Sequence, residues 1–383
     1  MNKFFSFFAF LTVFLSLYGL LHYYIFRKIV NALSPAPLTQ TLIIILLCLL
    51  LLSPILLQLL GERDTGLLKT VISYTGYFWM GILFLASSIY LLTDICQFIL
   101  FMSSRLFSPG LIKYTPDTRT VFYSVLFIIA AINIYGWHEA REMRVERISI
   151  RTSKLPPDIK GLRVVQISDI HFSVTNDLGL AQRIASLLKD LKPDILVSSG
   201  DLIDLGMDDR EEIERLFAGI SATYGKFATT GNHEFYSGIK ECTAFTEKAG
   251  FRMLRNEVVD AGGFIGIAAV DDPAGRSVGE IGQISEVGVL NRLSPDRLNI
   301  FLKHQPRVEK ESIGRFDIQL SGHTHKGQIF PFTLIVSLFY KYMDGFFDLG
   351  NGSSLYVSRG TGTWGPPIRF LTFPEITVIE FIK

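Results

Sequence analysis

Cysteine is scarce. Cys48, Cys96 and Cys242 are the only three in 383 residues. The first two lie in long apolar runs, so the more polar remainder holds one thiol and no possible internal disulfide. That leans away from an oxidising compartment. Net charge is scarce too: 37 lysines and arginines against 36 aspartates and glutamates leave a formal +1. No basic excess points to a nucleic-acid partner. Internal repeats and low-complexity linkers are also missing. A cleavable leader is not expected either, because the first apolar stretch is too long, no A-x-A-like site follows it and no twin arginine is present. It reads as a retained helix.

Apolar residues are abundant. They make up 49% of the chain, with mean hydropathy +0.34, and the excess is concentrated before residue 140. Four runs there, about 4–26, 38–60, 71–93 and 120–138, approach the length a helix needs to cross a bilayer. Tyr23, Tyr24, Trp79 and Trp137 sit near run ends, as interfacial anchors do. Few ionisable groups lie inside the runs, and His22 and Asp94 fall near run ends, at interfacial positions. That scarcity argues against a proton or ion carrier. Residues 1–140 therefore read as a four-helix transmembrane anchor. On this reading Lys3, Arg63, Lys69, Arg141, Arg144, Arg147, Arg151 and Lys154 share one side of the membrane. Arg27, Lys28, Arg105, Lys113 and Arg119 lie on the other. The larger basic set lies on the side of the residues that follow the last run, which by the positive-inside tendency is expected to be cytoplasmic.

From Arg141 the pattern turns charged and then mixed, and residues 145–383 suffice for one sizeable domain. Short β-branched runs predict strands at 145–150, 162–168, 194–198, 225–229, 263–270, 298–303, 316–320, 353–358 and 375–381. Helical periodicity predicts helices at 178–191, 209–222 and 239–250. Interleaved strands and helices indicate a layered α/β architecture.

The histidines carry the chemistry. Five of the seven fall in this second domain, and each stands at a predicted strand end or in the loop after it. "VVQISDIH" ends a strand with Asp169 and His171. "SSGDLID" supplies Asp201 and Asp204, and "TTGNHEF" supplies Asn232, His233 and Glu234. "FLKHQP" supplies His304, and "LSGHTHKGQIFP" supplies His323 and His325. The recurring form is an apolar strand, a small residue, then a carboxylate, amide or imidazole. Loops at one edge of a sheet converge on a common crevice, where ligand and catalytic groups collect. Asp169, His171, Asp201, Asn232, His304, His323 and His325 offer more donors than one tetrahedral ion takes. A thiolate-free O/N shell suits manganese, iron, zinc or magnesium.

These blocks, D-x-H, G-D-x-x-D, G-N-H-E, H and G-H-x-H in that order, resemble the calcineurin-like metallophosphoesterase superfamily across about residues 145–383. "KHQP", "SGHTHKGQIFP" and the closing "VSRGTGTWGPPIRFLTFPEITVIEF" are similar to a bacterial, membrane-associated branch. The resemblance implies a four-layer α-β-β-α sandwich and two divalent ions, manganese foremost. It implies that Asp169, His171 and His325 hold one ion, that Asn232, His304 and His323 hold the other, and that Asp201 bridges them. Such a pair acidifies a bound water to hydroxide and clamps the attacking and leaving oxygens of an in-line displacement at phosphorus. His233 is left over as a general acid for the leaving oxygen, oriented by Asp204. Glu234 reads either as a functional group or as a solvated neighbour. Lys326 stands where the branch more often has glycine, and would add a cation beside the substrate phosphate. A metal-binding sensor that lost the chemistry is a rival reading, but such relatives lose the acid histidine or bridging aspartate, and this chain keeps both. A soluble nucleotide or phosphoprotein substrate is a second rival. Four membrane helices and the apolar segment "IFPFTLIVSLFYKYMDGFF" (329–347), directly after the last histidines, tilt the expectation towards lipid. Some members of the resembling branch cleave the pyrophosphate of UDP-diacylglucosamine, which is thus the leading specific candidate.

Overall fold

The protein was analysed as a computed structural model, which describes residues 3–60, 66–204, 206–282 and 285–383; Arg63 lies outside them. The chain forms two compact units, the first running to Trp137 and the second from His138 to Lys383.

The first unit is helical: α1 (Lys3–Leu33), α2 (Pro37–Leu60), α3 (Leu67–Leu106) and α4 (Thr118–Glu139). Three stretches among the described residues are long and apolar enough to span a bilayer: Pro37–Leu57, Leu67–Leu106 and Thr118–Glu139. Three of the four expected spans are thus found among the described residues. The expected span 4–26 does fold as α1, but the side chains of its first residues lie outside the described set. α3 also departs from expectation. The apolar run 71–93 sits in a helix of 40 residues, about 60 Å long, twice the hydrocarbon thickness. No glycine or proline follows Asp94 until Pro109, so nothing stops the helix sooner. His22, expected at an interface, is buried. Trp79 Nε1 donates to its Nε2 at 2.9 Å, and its Nδ1 donates to the Tyr18 carbonyl at 2.8 Å. Asp94 pairs with Lys28 and accepts from the Tyr24 hydroxyl at 2.6 Å. Small residues let α2 and α3 approach closely: a Cβ on Gly76 would stand 2.5 Å from Ser53 Oγ.

The second unit is built on twelve strands among the described residues. They are β1 (Arg144–Arg151), β2 (Gly161–Ile167), β3 (Ile195–Ser198), β4 (Lys226–Ala228), β5 (Arg252–Met253), β6 (Glu257–Ala261), β7 (Ile265–Ala269), β8 (Leu298–Leu302), β9 (Ile318–Ser321), β10 (Gly345–Gly350), β11 (Ser353–Val357) and β12 (Glu375–Ile382). Interspersed are α5 (Leu178–Leu191), α6 (Arg210–Ala218), α7 (Asn232–Ser237), α8 (Ile239–Lys248), α9 (Ala274–Val278), α10 (Glu286–Leu290) and α11 (Phe332–Val336). Two six-stranded sheets result, ordered β1-β12-β2-β3-β4-β5 and β10-β11-β9-β8-β7-β6. β2 to β5 run parallel, as do β7, β8, β9 and β11.

Alternation along each strand decides the layers. Leu162, Val164, Ile195 and Val197 face Ile267, Ile300 and Leu320 in a core between the sheets. The opposite face of the first sheet, Val165, Ile167 and Leu196, packs on Ile184 and Leu188 of α5, Phe217 of α6 and Phe245 of α8. The opposite face of the second sheet, Ala268 and Phe301, packs on Val289 and Leu290 of α10. With both faces covered, β3 and β8 are apolar nearly throughout. The four-layer α-β-β-α sandwich expected from the resemblance is the architecture found, although β5, β6 and β10 were not foreseen. All β2, β3, β4, β8 and β9 carboxyl ends feed loops that carry the candidate donors.

Candidate metal centre

The loops after β2, β3, β4, β8 and β9 bring all seven candidate donors together. Asp169, His171 and His325 place donor atoms within 4.8 Å of one another, and so do Asp201, His304 and His323. Asn232 joins the second set, its Oδ1 lying 2.9 Å from His323 Nδ1. Asp201 Oδ2 is 3.1 Å from His304 Nε2 and 3.8 Å from His171 Nε2, so it faces both sets. Asp169, His171, Asp201 and His304 are almost fully buried.

Hydrogen bonds on the outer side of each ring set which nitrogen faces inward. His171 Nδ1 donates to Asp204 Oδ1 at 3.0 Å. His304 Nδ1 donates to the Ser199 carbonyl at 2.9 Å. His323 Nε2 is 2.7 Å from the Tyr340 hydroxyl, so a ligating Nδ1 leaves Nε2–H to donate to that oxygen. The inward nitrogens then crowd: His171 Nε2 to His325 Nε2 is 3.1 Å, and His304 Nε2 to His323 Nδ1 is 3.2 Å. Lone pairs and buried carboxylates aimed at one place need cations between them. The residues fit two divalent ions bound through nitrogen and oxygen. His325 has a different neighbour, for Arg369 Nη2 lies 3.3 Å from its Nδ1. Arg369 is wholly buried and also donates to the Gly360, Gly362 and Thr372 carbonyls.

The titration of the groups follows from this crowding. Burial raises the Asp201 carboxyl, but His304, His233 and His171 outweigh it and hold it well below the usual range. Burial, with the charge of Asp201 beside it, pushes Asp169 up. His323 is lowered to about 3, first by burial and then by His304. His325 is held well below its ordinary value by burial, His171 and Arg369. Both shifts favour the neutral imidazole that a metal ligand needs. His304 is pushed the other way: burial lowers it, but Asp201 and then Asp169 outweigh that and raise it well above its ordinary value.

His233 lies at the edge of the donor cluster, with a ring nitrogen within 4.8 Å of donor atoms of His171 and Asp201. Its Nδ1 is 2.9 Å from Asp204 Oδ1, and its side chain keeps 17% exposure towards solvent. Burial lowers its affinity for a proton, but Asp204 and then Asp201 reverse that and raise it to about 10. Asp204 thus holds two rings at once, the ligand candidate His171 and the acid candidate His233. Burial opposes but does not prevent its own shift, well below the carboxylate range, under those two histidines.

Glu234 is not solvated. It is fully buried and accepts from Asp201 N at 3.0 Å, Leu202 N at 2.7 Å and Gly231 N at 2.7 Å. It ties the β3 and β4 loops together. Burial, followed by Asp201, raises it to about 7. Lys326 is also engaged, with Nζ 2.9 Å from Asp344 Oδ2. Besides buried Arg369, a further cation near the centre is Arg307, whose guanidinium lies over the Tyr340 ring at 5.3 Å. Arg307, Tyr340 and Arg369 were not foreseen from sequence; only their polar character in apolar surroundings could have drawn attention.

Backbone conformation marks the same residues. Asp169, His171, Asp201, His323 and His325 have φ of 52°, 53°, 51°, 71° and 46°, in the left-handed region that side chains disfavour. The glycines beside them serve mainly to make room. A Cβ on Gly231 would lie 2.1 Å from Asp201 Oδ1, and one on Gly322 would lie 2.0 Å from Asp169 Oδ2.

Residues 162–327 match the calcineurin-like phosphoesterase family. The chain is 36% identical over 256 residues to an uncharacterized metallophosphoesterase of Aquifex aeolicus, covering 66% of this chain and 97% of that one. An uncharacterized metallophosphoesterase of Campylobacter jejuni is 33% identical over 267 residues, 69% of each chain. A transmembrane protein with metallophosphoesterase domain from Danio rerio is 30% identical over 266 residues, 66% of this chain and 61% of that one.

The crowding at Gly231 makes a sharp prediction. Asp201→Ala and Gly231→Ala should each strip most of the metal from the purified full-length protein, read by elemental analysis against wild type. Gly231→Ala protein that retains the wild-type metal content would contradict the geometry.

Proposed function

From its membership of the metallophosphoesterases with a calcineurin-like domain, to which the chain belongs, we propose a membrane-anchored hydrolase of phosphodiester or pyrophosphate bonds presented at the bilayer surface. The metal-dependent phosphoesterase class follows from the family. The residue roles, the ions and the substrate are our reading of the site. Asp169, His171 and His325 would hold one ion and Asn232, His304 and His323 the other, with the Asp201 carboxylate facing both sets. Bound there, two divalent ions supply Lewis acidity towards phosphate oxygens and acidify water. Manganese is the first ion to test, with iron and zinc next.

The observation that carries the reading is the Asp204 bridge. One carboxylate orients a ring of the metal set and a ring outside it, at 3.0 and 2.9 Å. His233 therefore keeps its Nδ1–H towards Asp204 and presents Nε2–H to the leaving oxygen. The negative charge of Asp204 and Asp201 keeps His233 protonated at neutral pH, as a general acid must be. The proton leaves Nε2 as the phosphorus–oxygen bond breaks, and Asp204 stabilises the tautomer that remains. Glu234 positions Asp201 rather than reacting.

The substrate assignment rests on the segment after His325. Leu334, Leu338 and Phe339 are 59%, 81% and 72% exposed, and Ile335 and Phe346 are exposed as well. Tyr340, one residue beyond Phe339, reaches His323. An exposed apolar ridge beside the centre, on a chain with membrane-spanning helices, suits acylated substrates in the interface. UDP-diacylglucosamine, carried over from the resemblance, is the member to assay first. The soluble-substrate reading uses the same centre and lacks a use for this ridge. We place the catalytic unit on the cytoplasmic side, because Arg141, Arg144, Arg147, Arg151 and Lys154 follow the last span.

Three outcomes follow. His233→Gln should keep its metal and lose about 10²- to 10⁴-fold in kcat on diesters with basic leaving alcohols. Its pH–rate profile should also lack the alkaline limb, since the active acid is the protonated form and disappears as pH rises. Metal loss in this variant as complete as in Asp201→Ala would remove His233 from the acid's role. In mixed micelles, Leu338→Glu/Phe339→Glu should slow UDP-diacylglucosamine and lysophospholipid turnover while sparing bis-nitrophenyl phosphate; equal loss on all three would end the lipid assignment. An alkaline phosphatase fused to Lys383 should be inactive in cells, and strong reporter activity would reverse the orientation.

A further inference from the structure

Two large aromatic rings border His233 and take no part in the centre described so far. Tyr236 lies 5.7 Å from the His233 ring, centroid to centroid, and Trp364 lies 5.9 Å away. They are 59% and 52% exposed. Tyr236 follows His233 on the short α7. Trp364 belongs to the closing stretch "TGTWGPP", more than 120 residues later in the chain.

The Trp364 backbone is held firmly for an exposed residue. Its N–H donates to Gln328 Oε1 at 2.7 Å, and Gln328 Nε2 donates back to the Trp364 carbonyl at 3.0 Å and the Pro366 carbonyl at 2.9 Å. Asn176 Nδ2 donates to the Thr363 carbonyl at 2.6 Å and to the His171 carbonyl at 3.1 Å. The loop that carries the indole is therefore tied to the loop that carries His171. A mobile surface tryptophan needs no such anchoring, whereas a ring meant to meet a partner in one orientation does. The opposite end of the centre differs in chemistry, with the Arg307 guanidinium over Tyr340 beside His323. Exposed aromatic rings thus border His233, while an exposed guanidinium borders His323 through Tyr340.

We infer that Tyr236 and Trp364 are specificity-determining residues that stack on a ring borne by the leaving alcohol, so that the ring-bearing half of the phosphodiester departs. This inference rests on the proposed role of His233. The ring, a sugar or an aromatic base, packs its flat face on these side chains and thereby brings its ester oxygen to His233 Nε2. An open-chain alcohol gains no such contact. The hydrolysis itself is unchanged: water adds to phosphorus, the ester oxygen leaves, and it takes its proton from His233.

Mixed diesters test this on the full-length protein in detergent with manganese. Benzyl ethyl phosphate offers two leaving alcohols of similar basicity, so the product ratio reports which half is chosen. Wild type should release benzyl alcohol over ethanol by about threefold to tenfold, the range expected of one aromatic contact. Trp364→Ala and Tyr236→Ala should bring the ratio towards one and raise KM, and Trp364→Phe should restore most of it. Glucos-6-yl ethyl phosphate separates the two ring chemistries: preferential release of glucose supports a sugar-accepting face, and benzyl preference alone supports an aromatic one. A ratio near one in wild type, or one that Trp364→Ala leaves unchanged, overturns the inference while leaving the phosphoesterase reading intact. The same holds if Trp364→Ala weakens binding to phosphatidylglycerol vesicles with the ratio unmoved, which would make the indole a bilayer contact. Absence of turnover on both diesters, with two metal equivalents bound, defeats the phosphodiester form of the proposed function and this inference together.

Discussion

Five of the seven donor residues are held in a left-handed backbone conformation that each would leave if released, and the surrounding structure is arranged to prevent it. For a residue with a side chain that conformation costs about 1–2 kcal/mol. The loops counter it by bonding to one another. Asp169 N–H donates to the Gly200 carbonyl at 3.0 Å, and His171 N–H donates to the Asp201 carbonyl at 3.1 Å. His323 N–H donates to the Asp169 carboxylate at 2.9 Å, and His233 N–H to Asp201 Oδ1 at 2.8 Å. Glu234 closes the set from beneath with three accepted N–H groups. No single loop could hold its donor alone, which is why the donors come from five strand ends of two packed sheets. Buried carboxylates in this arrangement stabilise bound cations and are strained without them, so metal affinity and loop conformation are coupled.

The same dependence explains what could be read in the sequence. The interior strands β2, β3, β8, β9 and β12 were legible because burial on both faces demands continuous apolar residues. The three strands not foreseen, β5, β6 and β10, all lie at sheet edges. Edge strands are short, and here they carry Arg252, Glu257 and Asp260, or the terminal glycines of β10, features that discourage further pairing and also erase the strand pattern. All seven candidate donors could be singled out because each follows a strong strand, and a polar residue at a strand end has few structural reasons to be there; the fold brings them to one place. Their partners could not. Glu234 sits beside His233 in sequence, but nothing local reveals that its carboxylate turns under the loop after β3. Arg369, Tyr340 and Gln328 reach the centre only through tertiary packing. The small residues before the donors gave no hint that Gly231 and Gly322 mainly leave space for carboxylates.

The helical unit and the exposed ridge at 329–347 bear on the substrate rather than on the chemistry. A dimetal centre grips phosphorus and is indifferent to what is attached, so selectivity must come from its borders. These borders are unlike each other: an apolar ridge after His325, a cation over Tyr340, and two exposed rings beside His233. Tyr340 links the ridge to His323 through one hydrogen bond, which makes the ridge's position matter to a donor. Among the described residues of the helical unit, buried His22 is paired with Trp79 and half-exposed Lys28 with Asp94, which suits an anchor better than a carrier.

The central claim is that Asp201 stands between two ions held by two separate sets of side chains. Diffraction from crystals of the manganese-loaded protein, with anomalous differences recorded at the manganese edge, tests it directly. The account predicts two anomalous peaks about 3.5–4 Å apart, one bounded by Asp169, His171 and His325 and the other by Asn232, His304 and His323, with the Asp201 carboxylate between them. A single peak, or a second ion bound away from Asp201, would contradict it.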